Sequence, residues 1–141
     1  MRELELALKA AGDPTRTRIL KLLEGGGLCV CQVQMVLGLA PSTVSKHLAI
    51  LKVAGLVEDR RDGKWIEYAL PRDERNRYAR ALLALLRGPL DRDPTVVDDR
   101  RRLSEVRAVP REQICTLLPP RAPVPPSARP RIKRGRERTR A

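Results

Sequence analysis

A single histidine occurs in the 141 residues, and no Ser/His/Asp or Cys/His/Asn set is visible around it. Nucleophilic catalysis needs such a set, so the expectation is a protein that is not an enzyme. There are three cysteines, an odd count that argues against a disulfide framework. No stretch approaches the roughly 18 consecutive apolar residues of a membrane span. The opening MRELELALKA lacks the apolar segment of a signal peptide. The expected setting is therefore the cytoplasm, where thiols stay reduced, with no membrane partner.

What the chain has in excess is positive charge, formally +12, which calls for a polyanionic partner. Its distribution is uneven. Residues 1–90 hold 15 Lys/Arg against 10 Asp/Glu, residues 91–120 six against six, and residues 121–141 eight against one. More than half the excess thus sits at the C-terminal end, and the rest of the chain is only modestly basic. Nine of the twelve prolines fall between Pro89 and Pro130, and residues 119–141 have no apolar period to offset chain entropy. Three regions are expected: a folded domain over 1–88, a helical appendage over 89–118, and a disordered Pro/Arg-rich basic tail over 119–141. The tail reads either as a phosphate-binding arm whose contribution fades with salt or as a solvated end.

The informative stretch is residues 39–70. Pro41 suits the first position of a helix, and Val44, Leu48, Leu51 and Gly55 follow at helical spacing, with Gly55 as a left-handed stop. The opposite face carries Ser42, Lys46, Ala49 and Val53, flanked by Thr43 and Ser45, a small and cationic surface suited to a major groove. Two short runs, 56–61 and 64–70, then flank Asp62-Gly63, a strong hairpin signal. Arg61 and Lys64 at its tip make it either a basic wing or a merely solvated hairpin. Following a helix-turn-helix, the wing is favoured. Ser42, Thr43, Ser45 and Lys46 are the candidate groove contacts, with Arg61 and Lys64 on the wing. His47 lies nearer the buried edge, where packing competes with a base or phosphate contact. Trp65 is expected to pack on the hairpin base.

Around this device the pattern predicts a first helix with Leu4, Leu8 and Ala11 as its stripe, and a second capped by Asp13-Pro14 with Ile19, Leu20 and Leu23 inward. A third follows over 30–37. It turns through 38–40 into the recognition helix, completing a helix-turn-helix. A further helix is expected over 72–87, where Tyr78, Ala81, Leu82, Leu85 and Leu86 form a wider apolar face than one small core needs. The surplus fits a homodimer packed through its first and last domain helices, with two recognition helices reaching successive major grooves. A helix closing only its own core is the alternative. Beyond it, 94–118 is expected to be helical and broken at Pro110.

Cys29-Val30-Cys31 lies just ahead of the recognition helix. Two readings stand: buried filler or a thiol pair. If both residues were helical their side chains would point about 200° apart, so gripping one ion would require unwinding the helix start, and a bound ion would compete with DNA. The helix N-terminus is expected to lower the thiol pKa values. Sulfur-only ligation selects soft acceptors over zinc, and Cys115, if it folds back, completes a three-sulfur set suited to a trivalent metalloid. An unpaired thiol is the other reading of Cys115.

DPTRTRILKLL, the CVC pair, LAPSTVSKHLAILKVAGLV and DGKWIEYAL, in that order, resemble the ArsR/SmtB family of metal-responsive repressors, in its arsenic-sensing branch, over residues 4–88. The resemblance implies a mainly α, winged helix-turn-helix homodimer with a small β-hairpin wing (α+β), bound to operator DNA and released when As(III) or Sb(III) binds cysteine thiolates. Cys29 and Cys31 match the family's pair. A third family cysteine three residues on is replaced by Gln34, which either makes Cys115 the substitute or leaves a two-thiol site. A zinc-sensing branch uses carboxylate and imidazole groups on the last helix, and that helix here has Asp73 and Glu74 but no histidine. The alternative function is a thiol-based redox-sensing repressor on the same fold.

Overall fold

The computed structural model describes residues 1–73 and 75–117, the side chain of Leu117 excepted. The basic tail expected over 119–141 lies outside the described residues. The order is α1 (Arg2–Ala11), α2 (Pro14–Leu23), β1 (Leu28–Cys29), α3 (Val30–Leu37), α4 (Pro41–Val53), β2 (Glu58–Asp62), β3 (Trp65–Ala69), α5 (Ala79–Leu85), a 3-10 turn (Pro89–Arg92), α6 (Pro94–Arg107) and α7 (Arg111–Leu117).

α2 starts as the sequence predicts. Asp13 accepts from the Arg16 N–H at 3.0 Å and Pro14 fills the first turn. α3 stops at Gly38, whose φ of +66° needs no Cβ to be accommodated. α4 follows after Leu39 and Ala40. Val44, Leu48 and Leu51 are fully buried along one stripe of α4. They meet α1, α2 and α3 in a core that also holds Ile19, Leu20, Val33, Val36 and Leu56.

The first helix departs from expectation. Its buried residues are Ala7 and Ala10, while Leu8 is 53% exposed. Alanines let α1 lie close against α2 and α4, a separation at which the larger leucine is turned outward.

The hairpin forms around Gly63 (φ +59°), with Asp62 opposite Trp65 and Glu58 opposite Ala69. A short strand missed in the sequence, β1, adds to its other edge: Leu28 pairs with Tyr68 and Cys29 with Glu67, giving the antiparallel order β1-β3-β2. The segment ahead of the recognition helices is thereby hydrogen-bonded to the wing.

The helix expected over 72–87 is shorter, Ala79–Leu85. The reason is Asn76, 4% exposed. Its side-chain oxygen accepts from the Tyr78 N–H (2.9 Å), and its amide donates to the carbonyls of Glu3 (2.8 Å) and Ala54 (2.9 Å). Side chains that bond their own backbone compete with helix formation. Here that local bond holds the chain open until Tyr78, and the same residue ties α1 and the end of α4 to the start of α5.

α6 packs on α2 and α3 through Val96, Leu103 and Val106, and α7 returns to α3 through buried Ile114 after the break at Pro110. Ion pairs fix α6. The Arg18 guanidinium donates twice to Asp99, at 2.7 and 2.8 Å. Buried Lys21 donates to Glu24 (2.7 Å), Asp91 (2.8 Å) and the Leu86 carbonyl (3.1 Å), and Arg100 also donates to Asp91 (2.7 Å). Lys21, then Arg100 and the Gly88 N–H, hold the Asp91 carboxyl well below its ordinary 3.8. A depressed folded pKa contributes stability above the unfolded value and loses it as pH falls. Asp91→Asn should therefore lower the thermal midpoint at pH 7, with the difference from wild type shrinking once pH drops below about 3.8, as calorimetry across pH would show.

Candidate DNA interface and thiol site

α4 presents one face to solvent. Ser42, Thr43, Ser45 and Lys46 are all exposed there, in the first turns of the helix, and Arg61 and Lys64 are exposed at the hairpin tip. The two surfaces are joined by Lys52, near the end of α4, which pairs with Asp59 on β2 at 2.9 Å. That contact, with the Coulomb field of Lys52 behind the hydrogen bond, also lowers the pKa of Asp59. His47 stands apart from the exposed set. It is half-buried, and its Nδ1 lies 3.4 Å from Arg16 Nη1. Arginine can only donate, so Nδ1 accepts and the ring proton is assigned to Nε2. Arg16 is itself anchored on the carbonyls of Ala10 (2.7 Å) and Lys9 (3.1 Å), which links the recognition helix to the end of α1. Trp65 does not pack simply on the hairpin base: Lys64 lies over its ring at 5.2 Å and Arg111 of α7 at 5.7 Å.

The cysteines are free thiols, and the structure brings all three into one neighbourhood within a single chain. Cys29 corrects the geometric expectation. It is not helical but is the N-cap of α3, in extended backbone (φ −81°, ψ 162°), with Cys31 the second residue of the helix. The Gln32 side chain accepts from the Cys29 N–H at 3.0 Å, and the Cys29 side chain faces the Gln32 N–H in return. This is a capping box built on sulfur. Sulfurs at a cap and at the second helical position are not bound to the roughly 200° divergence of two interior positions. What a ligand on Cys29 would disturb is the cap.

The thiol pKa values also run against expectation. Burial pushes the Cys29 thiol up, against the lowering effect of its cap bonds and of Arg111. Cys31 is pushed up to about 12, first by burial and then by the Cys115 thiol beside it. Desolvation outweighs the helix N-terminus here because a neutral thiol is easily buried and a thiolate is not. Cys115 is brought in by α7, whose packing on α3 the sequence showed only as scattered apolar residues. Among the described residues no three His, Cys, Asp or Glu side chains form a ready-made metal-ion cage. The donors present are soft sulfurs, which fit a thiophilic metalloid rather than a hard cation. No helix among the described residues is long and apolar enough to cross a membrane.

A helix-turn-helix whose second helix exposes a small, polar and cationic face, followed by a basic hairpin, defines a winged helix-turn-helix DNA-binding protein. The pattern described as bacterial regulatory protein, arsR family, matches residues 13–59. The arsenic resistance transcriptional regulator ArsR1 of Pseudomonas putida is 33% identical over 119 residues, 81% of this chain and 90% of that protein. An HTH-type transcriptional regulator of Methanocaldococcus jannaschii is 50% identical over 66 residues, 46% of this chain and 74% of the relative. Among solved structures, a homodimeric winged helix-turn-helix DNA-binding domain from Mycobacterium bovis superposes with a TM-score of 0.55 at 30% identity, covering 66% of this chain and 82% of that one. The chain belongs to the ArsR family of transcriptional repressors, and it is a DNA-binding regulator rather than an enzyme.

Proposed function

We propose that this repressor binds its operator as a homodimer and leaves it when As(III) or Sb(III) binds Cys29, Cys31 and Cys115. The observation that carries the reading is Cys115 beside Cys31, two thiols 84 positions apart in the chain that α7 brings to the foot of the helix-turn-helix. The arsenic resistance for which the Pseudomonas putida relative is named supports the same ligand class. The raised pKa values of Cys29 and Cys31, which keep those two thiols protonated, suit it as well. Each thiol gives its proton to a departing hydroxide, so three thiols and neutral As(OH)3 yield a tris-thiolate and three waters. Oxidation by peroxide, the redox alternative, starts from a thiolate nucleophile, and the raised Cys31 pKa disfavours it.

On this reading residues 1–88 are the DNA-binding and dimerisation unit and 89–118 the segment that supplies Cys115. Ser42, Thr43, Ser45 and Lys46 enter the major groove, Arg61 and Lys64 contact phosphates from the wing, and His47 keeps an Nε2–H free of Arg16 for a phosphate. The dimer face is supported by Leu8 of α1 and Leu85 of α5, exposed on two helices that touch each other. Burying such residues against a second copy removes apolar surface from water.

Fluorescence anisotropy of a labelled operator duplex under reducing conditions tests both halves. Lys46→Ala should weaken binding by about tenfold and lower the salt slope by about one phosphate contact. Arsenite should release the wild-type protein, and retention at saturating arsenite would reject the inducer.

A further inference from the structure

α7 touches both the thiols and the wing. Arg111 and Cys115 are four residues apart on it, so they lie on one face, a turn apart. Cys115 stands beside Cys31, and Ile114 between them is 2% exposed and fastens the helix to the core. At the other end the Arg111 guanidinium donates to Asp62 Oδ2 at 2.9 Å and lies over the Trp65 ring at 5.7 Å. Arg111 also lines an open cleft of about 360 Å³ with Gln32, the cap partner of Cys29, and Glu67, the strand partner of Cys29. One arginine thus faces the wing turn, the thiol cap and the strand that connects them.

We propose that Arg111 is a positioning residue that sets the wing according to the state of the thiols; this rests on the reading above that those thiols hold the inducer. Asp62 sits in the wing turn between Arg61 and Lys64, the two groups assigned to phosphates. With Arg111 on it, its charge is offset and the Trp65 ring has two cations against it. Cys29 is 3% exposed and engaged in the cap, so drawing it, Cys31 and Cys115 onto one atom displaces α7 against α3. Arg111 moves with α7 and lets go of Asp62. A bare carboxylate is then turned toward the DNA backbone, and the tip loses its lateral support. The Arg111–Asp62 pair is partly exposed, at 31% and 58% of the two side chains. Such pairs are individually weak, so Arg111 carries part of the coupling, with the Cys29–Glu67 strand pairing as a second path.

The test uses the full chain, wild type and Arg111→Gln, with arsenite as the probe, an operator duplex, and the emission of Trp65, the one tryptophan in the sequence. Three results are expected of Arg111→Gln. Arsenic bound per chain is unchanged, the arsenite-induced change in Trp65 emission disappears, and the ratio of operator affinities without and with arsenite falls at least about fivefold, the lower end of ordinary allosteric factors. Arg111→Lys, which keeps the charge, should recover most of that ratio. An Arg111→Gln protein with the wild-type Trp65 response and the wild-type ratio overturns the proposal. Should the wild type itself bind arsenite without release, the inducer reading falls and the wing role is judged without ligand. There Arg111→Gln must shift Trp65 emission and weaken operator binding by about threefold, and identical values overturn it.

Discussion

Cys31→Ser and Cys115→Ser are expected to bind operator as wild type does, within about twofold, and to stay bound at arsenite concentrations that lower wild-type affinity by roughly 10- to 100-fold. Serine keeps the shape and a polar tip but offers hard oxygen in place of soft sulfur. Both thiols are only partly buried, so neither exchange opens a cavity in the core. Cys29→Ser makes a useful contrast. It stands at the N-cap, where serine is among the preferred residues, so α3 should keep its start and the fold should hold. Cys29→Ala would remove the cap acceptor and cost about 1 kcal/mol, mixing a stability loss into the same measurement. Anisotropy titrations of the serine variants separate the roles. If Cys115→Ser is released normally, the ligand set is confined to the CVC pair. If Cys31→Ser no longer binds DNA at all, the pair is structural.

The second large effect is expected far from the thiols. Asn76→Ala should lower unfolding stability by about 2–3 kcal/mol, read as a shift of the urea midpoint without a change of slope. Three bonds of a buried amide disappear, leaving the Glu3 and Ala54 carbonyls and the Tyr78 N–H to find new partners in a closed space. Asn76→Asp should cost more, since a carboxylate cannot donate and would face two carbonyl oxygens. A change no larger than that of an exposed residue would show that water replaces the amide.

Asn76 also shows where the sequence was silent. α4 and the hairpin are legible because their signals are local: a 3.6-residue stripe from Val44 to Leu51, a proline at the first turn, and Asp-Gly between alternating runs. The start of α5 is set by one side chain that accepts from the Tyr78 N–H while anchored on two distant carbonyls, which apolar spacing does not encode, so the expected helix runs seven residues too early. The same holds for α1, whose stripe read from hydrophobicity selects Leu8, whereas close packing selects Ala7 and Ala10. At the thiols, residue types and spacing mark Cys29 and Cys31. Whether Cys29 is in the helix or caps it depends on two backbone angles that no pattern of apolar residues reports. The nearness of Cys115 and the grip of Arg111 on the wing both follow from the fold of α6 and α7 over α3, a contact between segments about 80 residues apart.

The ion cluster that fastens α6 has a practical outcome for anyone preparing a shorter version of this repressor. Ending the polypeptide at residue 88 removes Asp91, Arg100 and Asp99 together. Lys21, whose side chain is 2% exposed, then keeps Glu24 and a main-chain oxygen as its only named partners, and Arg18 loses its carboxylate altogether. Lys21 stays paired with Glu24, so what such a truncation removes is the cover of α6 over α2 and α3 together with the ion pairs that hold it there. A minimal DNA-binding fragment would therefore expose the α2 and α3 surface that α6 covers, and its behaviour would report on that bared surface as well as on the wing and recognition helix.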